Sequence, residues 1–460
     1  EVLLDLGHGR SLGAALVRTA HVGATAAVWF RRDLRVHDHP ALATAVAEYD
    51  RVVPVFVLDD VLLAGRYRSA ARARWMLACL EDLDASLRVR GAGLVVRHGR
   101  PEAELAALGV DAVLWTSDVS PYARARDRRV AEALSAAGIA ARPHTGAYCV
   151  DVSEPRPRNV FSAFHREWKT LERRPVLPAP ESIAGVVPPT GVPSPEDLGL
   201  GEGVPAPVRE PGETAAREAL DAWLDGPVDH YADRHDGMAR VGTSRLAPYL
   251  RWGCVSAREC EERAQARGGK GAEAWVRQLA WRDFHAHSLL HRPQNMRTPQ
   301  DERFRDLEVE HDEERFAAWA EGRTGFPLVD AGMRELATTG FMHNRVRLVC
   351  GSLLTKELHL DWRSGEEHFA RLLLCGEPAQ NNGNWQWIAG VGTDPAPYWR
   401  RMYNPARHQE RFDPEGEYIR RWVPELRAVP LERLAEPWRM PPAEQEAYGC
   451  VIGRDYPAPI

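Results

Sequence analysis

Lysine is nearly missing from this chain of 460 residues. It occurs only at Lys169, Lys270 and Lys356, so almost all of the positive charge is arginine. The bias reads most simply as the codon usage of a GC-rich genome, and it leaves arginine to make nearly every phosphate contact the chain could offer. No apolar run approaches the roughly 18 residues that a membrane span needs, which excludes an integral helical membrane protein. The seven cysteines form no CxxC pair and no Cys/His block at zinc-finger spacing, so a zinc scaffold is excluded. A scattered, odd set of cysteines in a chain this long points to free thiols in a reducing cytoplasm. A basic n-region with a long apolar core is also missing, so no secretory signal is read. Tyr and Phe, at 11 each, are outnumbered by Trp at 15, the reverse of the usual order.

What is present falls into blocks. Residues 1–23 imitate a nucleotide-binding turn, but Gly7, Gly9 and Gly13 are one residue too widely spaced for GxGxxG. The segment is read as an extension, frayed or translated from an upstream start. From 24 to 150, short apolar runs (Ala26–Phe30, Val52–Leu58, Leu94–Arg97, Ala112–Trp115) alternate with helical stretches (Ser69–Arg90, Pro101–Leu108, Tyr122–Ala137). Continuous apolar strands separated by helices are what a parallel sheet covered on both faces requires, so this block is predicted to be a doubly wound α/β domain. Residues 151–220 are read as an interdomain connector, since ten of the 34 prolines lie between Pro175 and Pro211. Between 175 and 225 nine acidic residues face two basic ones, a net of −7, which accounts for the whole formal charge of −6. The flanking domains are therefore close to neutral and have room for basic patches. From 221 to 460 helical segments follow one another, and 11 of the 15 tryptophans lie there, which predicts an all-α second domain.

Several stretches are unusual in chemistry. In EAWVRQLAWRDFHAHSLL (273–290), Gln278, Trp281, Arg282 and His285 fall on one helical face that is polar and aromatic rather than aliphatic. His287 and His291 stand at i, i+4, but no Glu completes HExxH. GTSRLAPYLRWGCVS (242–256) sets Thr243, Ser244 and Arg245 just before a helical run, where hydroxyls and free backbone N–H groups can cradle a phosphate or simply cap the helix. GFMHNRVRLVCGSLL (340–354) puts Asn344, Arg347 and Leu348 on one face. CGEPAQNNGNWQWIAG (375–390) is dense in amides, with Trp385 and Trp387 turned to nearly opposite sides.

Together these stretches resemble the photolyase/cryptochrome flavoprotein family. WFRRDLRVHDHPAL (29–42) is similar to the opening of the family's antenna domain. GTSRL with Tyr231 twelve residues before it, WVRQLAWRDF (275–284), EGRTGFPLVDAGMRELATTGFMHNRVR (321–347), DWRSGEEHF (361–369), NNGNWQW (381–387) and WRRMYNPARHQERFDPEGEYIRRWVPEL (399–426) resemble its flavin domain in order and spacing. The resemblance runs from about 25 to 440.

The resemblance implies FAD as cofactor and UV-damaged DNA as partner, with a monomer acting in the cytoplasm and no membrane. Tyr231, Thr243, Ser244, Arg245 and Leu246 would hold phosphates and ribose, Arg282 would sit beside the cofactor, Arg347 would approach the isoalloxazine, and Asn381 would face N5. Trp281 and Trp387 would pack against a cyclobutane pyrimidine dimer flipped from the duplex, since flat aromatic walls replace lost base stacking. Asn344 matches the cyclobutane-repair pattern. Arg345, Arg400, Arg401 and Arg407 would contact phosphates. The implied reaction is light-driven electron donation from reduced FAD, splitting of the dimer, and return of the electron. A second antenna chromophore, a folate or a deazaflavin, is also expected.

Four departures stand out. Gln278 replaces a usual Glu, removing a carboxylic proton and charge assistance. Cys375 replaces an Asp that pairs with the arginine matched by Arg347. Either Glu377 substitutes, or the site is wetter, or flavin binding is weaker. Trp385 and Trp362 match the inner members of an electron-hopping chain whose outer position falls near Val309, so photoreduction is impaired or rerouted, with Trp319 as a candidate. Ala247 replaces a Ser near the phosphates. The leading reading is a light-driven DNA repair enzyme, and the alternatives are a cryptochrome-like blue-light receptor without repair activity and a (6-4) photolyase.

Overall fold

A computed structural model describes residues 21–188 and 191–460. Of the extension read at 1–23, residues 1–20 lie outside the described residues, while His21–Gly23 begin the first strand. Five strands, β1 (His21–Phe30), β2 (Tyr49–Leu58), β3 (Val95–His98), β4 (Ala112–Thr116) and β5 (Ala140–His144), form one parallel sheet in the order β3-β2-β1-β4-β5. Every residue of β4 and residues 26–30 of β1 are buried, because helices cover both faces. Those helices are α1 (Pro40–Glu48), α2 (Asp60–Leu63), α3 (Ala70–Arg88), α4 (Pro101–Ala106) and α5 (Pro121–Ala136). The chain lays β1 to β3 in one direction, then returns to put β4 on the other side of β1. The switch point of this doubly wound sheet therefore lies between the ends of β1 and β4, where Arg31, Arg32 and Asp33 face Thr116, Ser117 and Asp118.

The proline-rich stretch carries more structure than its composition suggests. It holds α6 (Phe161–Trp168) and α7 (Glu213–Leu224), and between them the chain follows the sheet, with Gly185 bridged to Val52 and Ile183 N–H donating to Arg90 C=O at 2.7 Å. Phe161, Phe164 and Trp168 recur at helical spacing and bury one face of α6. After β5 the described residues form no further strand beyond isolated bridges such as Glu310 with Leu360.

The second domain is helical: α8 (Tyr231–Arg234), α9 (Ala247–Trp252), α10 (Ala257–Arg267), α11 (Gly269–His291), α12 (Glu313–Ala320), α13 (Pro327–Thr339), α14 (Asn344–Ser352), α15 (Trp362–Leu372), α16 (Pro378–Ala389), α17 (Pro405–Phe412) and α18 (Glu417–Trp422), then short turns to the end. The 23-residue α11 is the central helix and packs on α6, α8, α10 and α16. One apolar cluster runs without a break from the sheet through α3 and α7 into α9–α11, so the two domains share a core. A second cluster joins α13, α14, α15, α16 and α18. The chain stays close at the junction, where Leu34 N–H donates to Trp252 C=O at 3.0 Å. At Gly253 (φ +66°) a Cβ would stand 2.1 Å from the Arg32 carbonyl oxygen, so only glycine fits.

Candidate functional site

The loop 242–246 runs into α9, as the sequence pattern predicts. Gly242 packs so closely on Arg234 that a Cβ would lie 2.1 Å from its carbonyl oxygen, and Arg245 has φ +53°, a left-handed conformation that few side chains accept. The loop is held by Trp275, whose indole N–H donates to Ser244 Oγ (3.3 Å), and by Arg209, whose Nη2 donates to Ser244 C=O (3.3 Å). Tyr231 is buried edge-on against Trp223, with ring centres 5.8 Å apart. The Arg245 guanidinium lies over Phe341 at 5.1 Å and has no carboxylate partner among the described residues. Burial pulls it below its ordinary value. A half-buried cation with no carboxylate within ion-pair distance among the described residues, beside two hydroxyls, suits a phosphate.

Across from this loop, α11 turns from solvent to core along the face picked out in the sequence. Gln278 is exposed, Trp281 and Arg282 are half-buried, and His285 is buried. Trp281 lies flat on Phe161 of α6 (3.7 Å between ring centres, 6° between planes). Phe161 was missed because it sits in the stretch read as connector. Arg282, which the resemblance sets beside the cofactor, has its partners in the loop after β5 and in α9. Its guanidinium stacks on Tyr148 at 4.6 Å and donates to Ala147 C=O (2.8 Å) and Leu250 C=O (3.2 Å), which directs it to the α/β domain.

Helix α16 carries most of the remaining groups. Asn381 donates both Nδ2 hydrogens to Glu366 of α15, one to the carbonyl oxygen (2.8 Å) and one to Oε1 (3.0 Å), and its Oδ1 accepts no hydrogen bond among the described residues. Gly383 lies against His285, where a Cβ would fall 2.2 Å from Nδ1. Trp385 points to the core and Trp387 outward, as their spacing predicts. The Arg401 guanidinium covers one face of Trp387 at 3.9 Å and donates to its carbonyl at 2.6 Å. Arg401 is only 5 % exposed and supports the indole. Glu377 caps α16 through Gln380 N–H (2.8 Å) and pairs with Arg32 (2.9 Å). It therefore does not substitute as the partner of Arg347, whose Nε donates to Met342 C=O (2.8 Å) and whose Nη2 has only Cys375 Sγ at 3.7 Å.

At the start of α14 Asn344 is exposed, while Arg345 makes a two-pronged pair with Asp236 (2.7 Å each) and lies over Phe412. Arg345 is free to meet a phosphate only if that pair breaks, whereas Arg400 and Arg407 are exposed. Trp385 meets Trp319 edge-to-face at 6.1 Å and Phe369 at 5.0 Å. Among the described residues no ring contact joins it to Trp362, which is buried under Arg363. Trp319 is fully buried and tied by its N–H to Cys350 C=O (3.0 Å). The seven cysteines are free thiols, with Cys375 the one not fully buried.

Arg245 and Arg347, neither within ion-pair distance of a carboxylate among the described residues, and the open acceptor on Asn381 fit a flavin dinucleotide, which brings two phosphates and a ring edge that carries N5. Fold and site thus define a two-domain flavoprotein, an α/β domain docked on a helical FAD-binding domain. The family model for DNA photolyase matches residues 26–181, and that for the FAD binding domain of DNA photolyase matches residues 275–460. A deoxyribodipyrimidine photo-lyase of Streptomyces griseus is 39 % identical over 95 % of this chain and 96 % of its own. A cryptochrome DASH of Natronomonas pharaonis is 37 % identical, covering 95 % and 98 %. Among solved structures, a bacterial class III photolyase from Agrobacterium tumefaciens superposes with TM-score 0.87 at 32 % identity, covering 98 % of this chain and 95 % of that one. An archaeal photolyase from Sulfolobus tokodaii, described with two FAD molecules, gives 0.83 at 33 %, covering 95 % and 96 %. The chain belongs to the DNA photolyase family.

Proposed function

We propose that this protein is a light-dependent DNA repair enzyme, a deoxyribodipyrimidine photo-lyase that splits cyclobutane pyrimidine dimers in UV-damaged DNA. The observation that carries the reading is Asn381, held by Glu366 with its Oδ1 free. An acceptor at the flavin N5 edge favours the N5–H form, which is the form that must persist in an electron donor. FAD, when bound and reduced, supplies on illumination the electron that opens the dimer and recovers it afterwards. The chain supplies the rest. Thr243, Ser244, Arg245 and Leu246, with Tyr231 behind them, would hold the phosphates and ribose, and Arg347 would meet the isoalloxazine.

Trp281, stiffened by Phe161, and Trp387, stiffened by Arg401, are the aromatic walls for the flipped pyrimidines. Asn344 and Gln278, both exposed, offer hydrogen bonds to their edges. Arg400 and Arg407 meet backbone phosphates, and binding weakens with salt accordingly. A second chromophore would sit at the switch point, where Arg31, Arg32, Asp118, Tyr148 and Arg282 line a small cleft. The two-FAD archaeal structure supports a second site in the family.

Gln278 and the carboxylate-free Arg347 favour a second reading, a light receptor without repair. The test is to purify the protein, confirm bound flavin by its visible spectrum, and assay both lesion types in light and darkness. Light-dependent loss of cyclobutane dimers is expected. A flavin-loaded protein that repairs neither lesion is a receptor, and one that repairs only (6-4) products refutes the lesion assignment.

A further inference from the structure

A line of hydrogen bonds, half-buried at Tyr67 and buried at Glu366, reaches Asn381 from the other domain. Tyr67 lies in the loop between α2 and α3, and its hydroxyl donates to Glu366 Oε2 at 2.9 Å. The loop is gripped where it crosses over. The Arg72 guanidinium, on α3, donates to Tyr67 C=O and to the carbonyls of Ala370 and Leu373 at the end of α15, and Arg66 pairs with Glu367 at 2.7 Å. Glu366 is thus faced by Tyr67 and Arg66 from the loop, by Asn381 from α16 and by Glu367 on its own helix. Burial pushes its carboxyl up, while the hydrogen bonds from Tyr67 and Asn381 and the charge of Arg66 pull it down. With both amide hydrogens committed to Glu366, Oδ1 is the one end of Asn381 left to meet a ligand.

We propose that Tyr67 is a positioning residue of the flavin site: by donating to Glu366 it keeps that carboxylate an acceptor for Asn381, so that Asn381 presents Oδ1 to the flavin N5 edge. The inference rests on the reading that Asn381 faces N5. An oxygen there pairs with the N–H of reduced flavin and opposes the bare nitrogen of oxidised flavin, so a residue of the α/β domain raises the flavin's midpoint potential.

The experiment uses the FAD-loaded full chain and its Tyr67→Phe, Glu366→Gln and Asn381→Ala variants, with midpoint potential measured against pH and carboxyl bands followed by infrared spectroscopy. Loss of one hydrogen bond to a charged acceptor moves Glu366 protonation up by about one pH unit. In Tyr67→Phe the infrared band of a protonated carboxylic acid therefore appears at higher pH. The potential falls below wild type over that interval and rejoins it at higher pH. Glu366→Gln removes both the band and the pH break, which assigns them even if Tyr67→Phe folds poorly. A Tyr67→Phe curve identical to wild type, or displaced equally at every pH as loosened packing would do, overturns the inference. If Asn381→Ala leaves the potential unchanged, the N5 reading falls and this inference with it. If it shifts the potential while Tyr67→Phe does not, the Tyr67 link alone falls.

Discussion

Replacing Arg32 with Ala should unseat the two domains and loosen the flavin site together. Arg32 leaves the end of β1 and holds Asp118 Oδ2 through Nη1 and Glu377 Oε1 through Nη2, both at 2.9 Å, while its Nε donates to Arg251 C=O at 3.2 Å. The side chains of Arg32, Asp118 and Glu377 are 18 %, 13 % and 4 % exposed. Burial works against the charge on both acids, but Arg32, together with the neighbouring arginines and backbone N–H groups, outweighs it and holds each carboxyl below the usual carboxylate range. Removing the guanidinium leaves two buried carboxylates short of their main partner, a loss of about 3–5 kcal/mol. In a chain of this size that lowers the melting temperature by roughly 5 °C.

The pH dependence follows from the same groups. In the wild type their folded values lie below the unfolded ones, so their contribution is present at neutral pH and lost as pH falls through the folded values. Without Arg32 the folded values rise, so the stabilisation these acids give at neutral pH shrinks, and the deficit closes as they take up protons. The deficit of Arg32→Ala should be largest near pH 7 and narrow towards pH 4. Thermal melts across that range, with flavin fluorescence to follow release of the cofactor from a helix that Glu377 no longer caps as firmly, read both effects. A deficit below about 1 kcal/mol, or one independent of pH, refutes the reasoning.

Further outcomes are expected at single positions. Cys375→Asp places a carboxylate near the Arg347 Nη2 that now has only sulfur at 3.7 Å; after desolvation a net gain of about 1 kcal/mol and slower flavin loss should result, and faster loss would contradict the pairing. Trp319→Phe should slow the light-driven reduction of oxidised protein by an external reductant more than Trp362→Phe does, because Trp319 is the indole in contact with Trp385. The reverse order would return the route to Trp362. Gln278→Glu should raise the repair yield per absorbed photon by restoring a charge-assisted bond to the pyrimidine edge, and an equal or lower yield would remove that role.

The sheet was legible because β1, β2 and β4 are unbroken apolar runs, which a two-faced parallel sheet demands. The edge strand β5 was not, since AARPH is half-exposed and carries a proline and an arginine. Helices α6 and α7 were hidden in proline-rich sequence, although Phe161, Phe164 and Trp168 carried a helical period that a composition count averages away. At the site, hydroxyls, amides and indoles could be placed on their faces from local spacing alone. Their partners could not. Tyr67 meets Glu366 across 299 residues, Arg32 meets Glu377 across 345, and nothing in the sequence says which acid an arginine will find. Arg345 and Arg401, expected at phosphates, and Arg282, expected beside the cofactor, each make an internal hydrogen bond that spacing could not show.

The contact of Gly383 with His285 has a consequence for what the protein can admit. Trp281 rides on α11 and Trp387 on α16, and these helices meet where glycine leaves no side chain. To restore ordinary contact from 2.2 to 3.4 Å, an alanine there would require the His285 ring, or the helix that carries it, to move by more than 1 Å. The gauge between the two indoles is thus set by an atom the chain leaves out. An error of that size is enough to cost on the order of a hundredfold in rate where reacting groups must be held in register. A single added methyl, remote from any base it would affect, would recalibrate the aperture as a spacer does a vice.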